Sequence, residues 1–226
     1  MRPVSKRLKD GYKGLDREKV YSLDEAISQL ESFPKVKFDE TVELHFALGI
    51  NPKSSDQIVR GTVVLPHGTG KKLRIAVFCK GELEAKAKAA GADFVGAEEL
   101  IDKVSKGFLD FDVVVASPDM MRDLSKLGKI LGPRGLMPTP KAGTVTPDVE
   151  KAIKELNAGK IEFKSDKQAG VHLGVGKRSF SKDKLAANIQ QVLDAVTLAK
   201  PNTLKGTYIK SVSVATTMGP GLKVAL

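Results

Sequence analysis

The sequence predicts an α+β domain assembled from both ends of the chain and interrupted by an inserted α/β domain of three layers. Three observations carry this. The middle of the chain alternates short apolar runs with helical stretches, the rhythm of a parallel βαβ unit. The flanks instead hold period-two strands and amphipathic helices, too few on either side to close a core alone. Two short Gly-containing crossings, Pro66-His67-Gly68-Thr69-Gly70 and Asn157-Ala158-Gly159, join the parts and read either as a two-stranded hinge or as plain surface turns. The expected domains are residues 1–68 with 158–226, and residues 69–157.

Along the first flank, Ser22-Leu23-Asp24-Glu25 has the capping-box pattern, in which a Ser hydroxyl and a Glu carboxylate satisfy orphan amides, and it starts a helix to about Phe33. Thr41–Leu48 then alternates: Val42, Leu44, Phe46 and Leu48 face one way, Thr41 and Glu43 the other, as in a half-buried strand of an antiparallel sheet. In the middle, Lys72–Cys79 is a short apolar strand, and Gly81–Ala90 is a helix closed by Gly91. Asp93-Phe94-Val95 is a brief strand, residues 98–106 a helix, and Phe111–Ala116 a second buried strand. Ser117-Pro118 is expected to cap and open a third helix. Residues 130–144 form a loop dense in Gly and Pro, either a second RNA surface through Arg134 and Lys141 or a rigid connection along the small domain's edge. In the last third, Lys160–Lys164, Val171–Val175 and Thr207–Thr217 read as strands, and Lys182–Ala199 as an amphipathic helix stopped before Pro201.

Composition narrows the function. At 41% hydrophobic and 28% charged, the 226 residues are ordinary for a globular chain. No apolar stretch is long enough to span a membrane, and the basic opening Met1–Arg7 is not followed by the apolar core of a secretory signal. A single cysteine, Cys79, precludes an intrachain disulfide and fits a reducing cytoplasm, and three scattered histidines argue against metal chemistry. The net charge is +10, split as +1 over residues 1–68, +2 over 69–157 and +7 over 158–226. An anionic partner, most simply nucleic acid, is therefore expected at the last third.

The inserted domain invites a nucleotide, but its residues argue otherwise. No G-x-G-x-x-G follows its first strand. Gly68-Thr69-Gly70-Lys71-Lys72 has Leu65 where a phosphate loop needs glycine, and Lys72 where it needs Ser or Thr. Cys79 ends an apolar strand as a core residue does, and no His stands at a recognisable catalytic spacing. Two flanking segments fit RNA better. In Lys37-Phe38-Asp39-Glu40-Thr41-Val42-Glu43, Phe38 either stacks on a base or ribose or caps the core. In residues 209–217, Ile209, Ser211, Ser213, Ala215 and Thr217 share one mostly small, polar face, suited to a sugar–phosphate surface or to an ordinary half-exposed strand. Met218 offers a soft apolar contact, and Gly219 and Gly221 permit close backbone approach.

Four segments, Phe38–Glu43, Gly61–Gly68, Leu131–Pro138 and Thr216–Pro220, occur in an order and spacing that strongly resembles the family of the first-numbered protein of the bacterial large ribosomal subunit. The resemblance covers essentially the whole chain. It implies a discontinuous α+β domain with an inserted Rossmann-like domain, and a protein of the mobile stalk beside the tRNA exit site. It implies a grip on a stem–junction of large-subunit rRNA through Thr217-Met218-Gly219 and the strand after Phe38. Implied partners are that rRNA, exit-site tRNA leaving in its deacylated form, the chain's own mRNA leader (as translational repressor) and other ribosomal components, with no membrane, no cofactor and no enzymatic activity. The expected RNA contacts are Lys37, Phe38, Thr41, Glu43, Lys164, Lys167, Ser211, Ser213, Thr217, Met218 and Gly219. The first ten residues match the family's basic opening only loosely and the chain stops soon after Gly221 with Lys223-Val224-Ala225-Leu226, so RNA contacts are not expected at either terminus.

Overall fold

A computed structural model describes residues 6–16 and 19–225, so Met1–Ser5 of the basic opening and the final Leu226 lie outside the described residues. The first elements are α1 (Lys6–Tyr12), β1 (Val20–Tyr21), α2 (Leu23–Ser32), β2 (Thr41–Leu48) and β3 (Arg60–Val64). Then follow β4 (Ile75–Phe78), α3 (Glu82–Ala89), β5 (Phe94–Gly96), α4 (Glu98–Ser105), β6 (Val113–Ala116), α5 (Met121–Leu124), α6 (Gly128–Leu131) and α7 (Val149–Asn157). The chain ends with β7 (Lys160–Lys164), β8 (Gly170–Lys177), α8 (Lys182–Leu198), β9 (Ile209–Thr216) and β10 (Gly221–Val224).

Contacts divide the chain into two compact units, one running to Gly70 and resuming at Glu162, the other Lys71–Ile161. Both joints sit a few residues from where composition placed them. Gly70 packs so tightly in the first unit that a Cβ there would lie 2.8 Å from Lys177 Cγ. Lys160 belongs with the second unit through its 2.8 Å ion pair to Glu155.

In the first unit a five-stranded sheet runs in the order β1-β10-β9-β2-β8, antiparallel except where β1 joins β10. One face is apolar: Val42, Leu44, Phe46, Val171, Leu173, Val212, Val214 and Leu222 are buried. They pack with Ala26, Ile27 and Leu30 of α2 and Leu185, Ile189, Val192 and Val196 of α8. The capping box of α2 is complete, with Ser22 and Glu25 each accepting the other's backbone N–H. Strands β3 and β7 form a separate pair. Asn188 of α8, fully buried, accepts from His67 N at 3.1 Å and donates to Gly68 O and Val175 O, which pins the Pro66–Gly70 segment to this unit.

In the second unit β4 lies between β5 and β6, parallel to both. Alternate residues feed two cores. Ala76, Phe78, Val114 and Ala116 join α4 residues and the 120–131 segment, whereas Ile75, Val77 and Val115 join Ala87 of α3 and Ile153 of α7. The single helix expected from Ser117 is broken into α5, α6 and two 3₁₀ turns, and Ser117 makes no capping bond. Met120, Leu124, Leu127 and Leu131 still face the core at helical spacing, so burial keeps the track while the backbone tightens. In the 130–144 segment Leu131 and Ala142 are buried and Leu136 and Met137 pack on the core. The apolar residues of the loop thus pack along this unit's core, while Arg134 and Lys141 are exposed. Helix α7, not assigned from sequence, shows the signal in Val149, Ala152, Ile153 and Leu156, all buried.

Candidate nucleic-acid interface

The face of the five-stranded sheet away from α2 and α8 is built by strand alternation. On β2, Thr41, Glu43 and His45 are half-buried and Ala47 is exposed, while their neighbours are in the core. Antiparallel pairing sets Ala47 opposite Ser211, His45 opposite Ser213 and Glu43 opposite Ala215. Gly174 and Gly170 of β8 stand beside Glu43 and Ala47 on the other side. Ser211 is exposed and Ser213 half-buried, so both reach the open face. Ile209 does not. A bulge between Ala47 and Leu48 puts Ile209 in register with buried Leu48, which turns it off the small, polar face expected of it.

At the end of this face β9 runs into the turn Thr217–Gly219. Thr217 N donates to Thr41 O at 3.0 Å, and Thr41 N donates to Thr217 Oγ1 at 3.1 Å. The Thr217 hydroxyl thus has a partner within the protein and fastens the turn to β2. Gly219 N donates to Thr216 O at 2.9 Å, and a Cβ on Gly219 would lie 2.2 Å from Thr216 Oγ1. The turn needs glycine there for its own packing. At Gly221 a Cβ would meet nothing within 4 Å. Met218 is 50% exposed and Phe38 55% exposed. Phe38 therefore does not cap the core, the alternative left open for it.

Beneath the turn lies a buried ion pair. Glu40 is 1% exposed, and its Oε1 accepts from Met218 N at 3.0 Å and from Thr216 Oγ1 at 3.2 Å. Its Oε2 accepts from Arg178 Nη1 at 2.6 Å, and the Arg178 side chain is 8% exposed. Arg178 Nη2 donates to Glu31 O and Phe33 O at the end of α2, while Nε is buried without a partner among the described residues. Arg178 N also donates to Glu40 O at 2.8 Å. One carboxylate thus ties turn, β2, β8 and α2 together. Arg7 of α1 donates to Met218 O and Pro34 O and lies over the Phe33 ring, and Lys177 Nζ donates to Thr41 Oγ1 at 3.0 Å.

The positive candidates fall in two places. Lys37 precedes Phe38 at the turn end, exposed. Lys164 and Lys167, also exposed, sit where β7 leads into β8. Because Gly170 pairs with Ala47, that is the opposite end of β2, about 20 Å from Thr41 at the rise of a strand. Among the described residues none of the three lysines has an ion-pair partner. Asp166 caps this end: its Oδ1 accepts from Gly170 N and Gln168 N, bonds that hold its carboxyl below the usual range. The candidates therefore do not converge on one point. Thr41, Glu43, His45, Ser211 and Ser213 belong to the open face, with Lys37 and Phe38 toward one end of β2 and Lys164 and Lys167 toward the other.

Glu40, Arg178, Arg7, Lys177 and the His45–His172 contact were not picked out from sequence. For Glu40 a signal existed, since it continues the parity of Val42, Leu44 and Phe46 into the core.

No set of three or more His, Cys, Asp and Glu among the described residues is placed to hold a metal. Cys79 is buried, and burial pushes its thiol up to about 11, the opposite of an activated nucleophile. Helix α3, which follows the first strand of the second unit, opens with Glu82 and Glu84 and has no side-chain cap. Two carboxylates in a first turn repel a phosphate there. Among the described residues no helix is long and apolar enough to cross a membrane.

Residues 30–220 match the model of the ribosomal protein L1p/L10e family. A protein of Protochlamydia amoebophila named "Large ribosomal subunit protein uL1" is 56% identical over 98% of this chain and 94% of its own length. Proteins of the same name from Kosmotoga olearia and Solidesulfovibrio magneticus are each 54% identical over 97% of this chain, covering 95% and 93% of their lengths.

Proposed function

The chain belongs to the ribosomal protein L1p/L10e family, and from that membership we propose that it is a structural constituent of the large ribosomal subunit that grips large-subunit rRNA. It is a ribosomal protein and not an enzyme. The grip is made by the open face and turn end of the five-stranded sheet in the unit built from both chain ends. The observation that carries this is the Thr217–Gly219 turn, held from beneath by buried Glu40, with Met218 and the nearby Phe38 left half-exposed. A surface made rigid before binding loses little entropy on docking. Phe38 stacks on a base or ribose, and Met218 lies against a sugar edge. Thr41, Ser211, Ser213 and Glu43 meet phosphates and 2′-hydroxyls along the open face, Glu43 as an acceptor. Lys37, Lys164 and Lys167 neutralise phosphates at its two ends, and Gly219 keeps the turn close to the RNA.

The protein forms the mobile stalk at the tRNA exit site, where it assists release of deacylated tRNA and meets other ribosomal components in the cytoplasm. The same rRNA-binding face, presented with a look-alike fold in the chain's own mRNA leader, represses its translation. The test is affinity for the stalk rRNA fragment over a salt series. Affinity falls with a log–log slope of about 0.7–0.9 per phosphate neutralised. Phe38→Ala and Met218→Ala each weaken binding about five- to a hundredfold, the equivalent of one lost stacked or desolvated contact, at an unchanged melting temperature. Salt-independent affinity, or both variants binding like the parent, overturns the assignment.

A further inference from the structure

Across the middle of the open face His45 on β2 stands directly opposite His172 on β8. The two Nδ1 atoms are 3.0 Å apart and the ring centroids 5.1 Å apart, so the nitrogens meet nearly head-on. That is the alignment of an N–H···N hydrogen bond rather than of two lone pairs converging on a metal. One ring must therefore donate through Nδ1. Each outer nitrogen faces a carboxylate: His45 Nε2 is 3.7 Å from Glu43 Oε2, and His172 Nε2 is 3.6 Å from Asp166 Oδ2.

In the neutral pair two protons serve four nitrogens. One proton bridges the rings and one occupies an outer nitrogen. The other outer nitrogen then turns a lone pair toward a carboxylate. A single added proton removes this mismatch, giving a row of carboxylate, imidazolium, imidazole and carboxylate with an N–H at every junction.

We propose that the His45–His172 pair is a proton-binding element of the RNA-facing sheet that takes up a proton as RNA docks, so that affinity for large-subunit rRNA rises as pH falls. This rests on the assignment of the open face to RNA. In the free protein, burial first and His172 next hold His45 below the usual imidazole range, with Glu43 pulling the other way. A proton on His45 is thus resisted until phosphate charge arrives above the face. The charged groups that face the pair are Glu43 on β2 and Asp166 before β8. From β9 comes neutral Ser213, opposite His45, and beyond it Lys223 of β10, opposite Ser213. Lys223 opposes the proton, and the two carboxylates favour it.

The experiment measures affinity of the full chain for the stalk rRNA fragment at pH 7.5 and pH 5.5, for the parent and for His45→Gln/His172→Gln. The readout is the ratio of affinities at the two pH values in the parent divided by the same ratio in the variant, so a uniform loss in the variant cancels and so does titration of the RNA itself. The parent is expected to bind about five- to tenfold tighter at pH 5.5, within the tenfold-per-unit limit for one proton. The double variant is expected to lose that ratio. Calorimetry of the parent near pH 6.5 in two buffers of different ionisation enthalpy adds a readout that needs no substitution, and net proton uptake is expected. A parent ratio near one, a double variant that keeps the parent's ratio, or zero proton uptake overturns the proposal while leaving RNA binding intact. Absence of binding at every pH overturns the RNA assignment itself, and this proposal with it.

Discussion

Replacing Glu40 by Gln asks most of the buried joint under the Met218 turn. The carboxylate accepts on both sides, from Arg178 Nη1 at 2.6 Å on one oxygen and from Met218 N and Thr216 Oγ1 on the other. An amide keeps one acceptor, so one set of donors must face an NH₂ group. Arg178, 8% exposed at its side chain, is left a charge without its counter-ion. Breaking such a pair costs about 3–5 kcal/mol. The low end, about 3 kcal/mol, applies here, because Nη2 still donates to Glu31 O and Phe33 O. For a chain of this length that lowers Tm by about 6–12 °C. Calorimetry is the assay, since the chain has no Trp and three Tyr, and the transition that unfolds the flanking unit should move. Adding Arg178→Met to Glu40→Gln removes the orphaned charge and should recover most of the loss. A Glu40→Gln protein melting within about 2 °C of the parent, or a double variant no better than the single, would refute the view that this pair holds the turn.

Two further outcomes follow from the same geometry. Gly219→Val drives a Cβ toward Thr216 Oγ1, 2.2 Å away, and overpacking of this kind costs about 1–3 kcal/mol, whereas Gly221→Ala enters open space. Paired melting curves should separate the two, and equal Tm values would contradict the packing role of Gly219. In the inserted unit, the 2.7 Å bond from Lys71, assisted by Arg74 N and Nε, holds the Asp112 carboxyl down at about 2 against the penalty of burial. A depressed carboxylate stabilises the fold above its unfolded value near 4 and loses that contribution as pH falls toward 2. Acid titration of that unit's melting between pH 5 and 2 should therefore be flatter in Asp112→Asn, and identical profiles would count against it.

Much of the flanking sheet was legible because its signals are local. The alternation from Val42 to Leu48 marks β2 to the residue, and the Ser22–Glu25 box marks the start of α2. Charge excess pointed to the last third, and the short runs around Ile75 and Val114 to a parallel sheet. The exposure of Phe38 was open, since a lone aromatic at a strand entrance serves a core or a ligand equally well.

Residues a few positions apart settle periodicity, caps and turn chemistry, and composition settles the net charge. Tertiary structure alone decided that Glu40 finds Arg178, 138 positions away, and that His45 meets His172 across 127. It also decided that one bulge opposite Leu48 turns Ile209 off the open face, and that Lys37 lies toward one end of β2 and Lys164 and Lys167 toward the other. The cause is register. Cross-strand partners depend on how two distant segments are aligned, and a shift of one residue would send every side chain of β9 to the other face while leaving its own pattern of alternation unchanged.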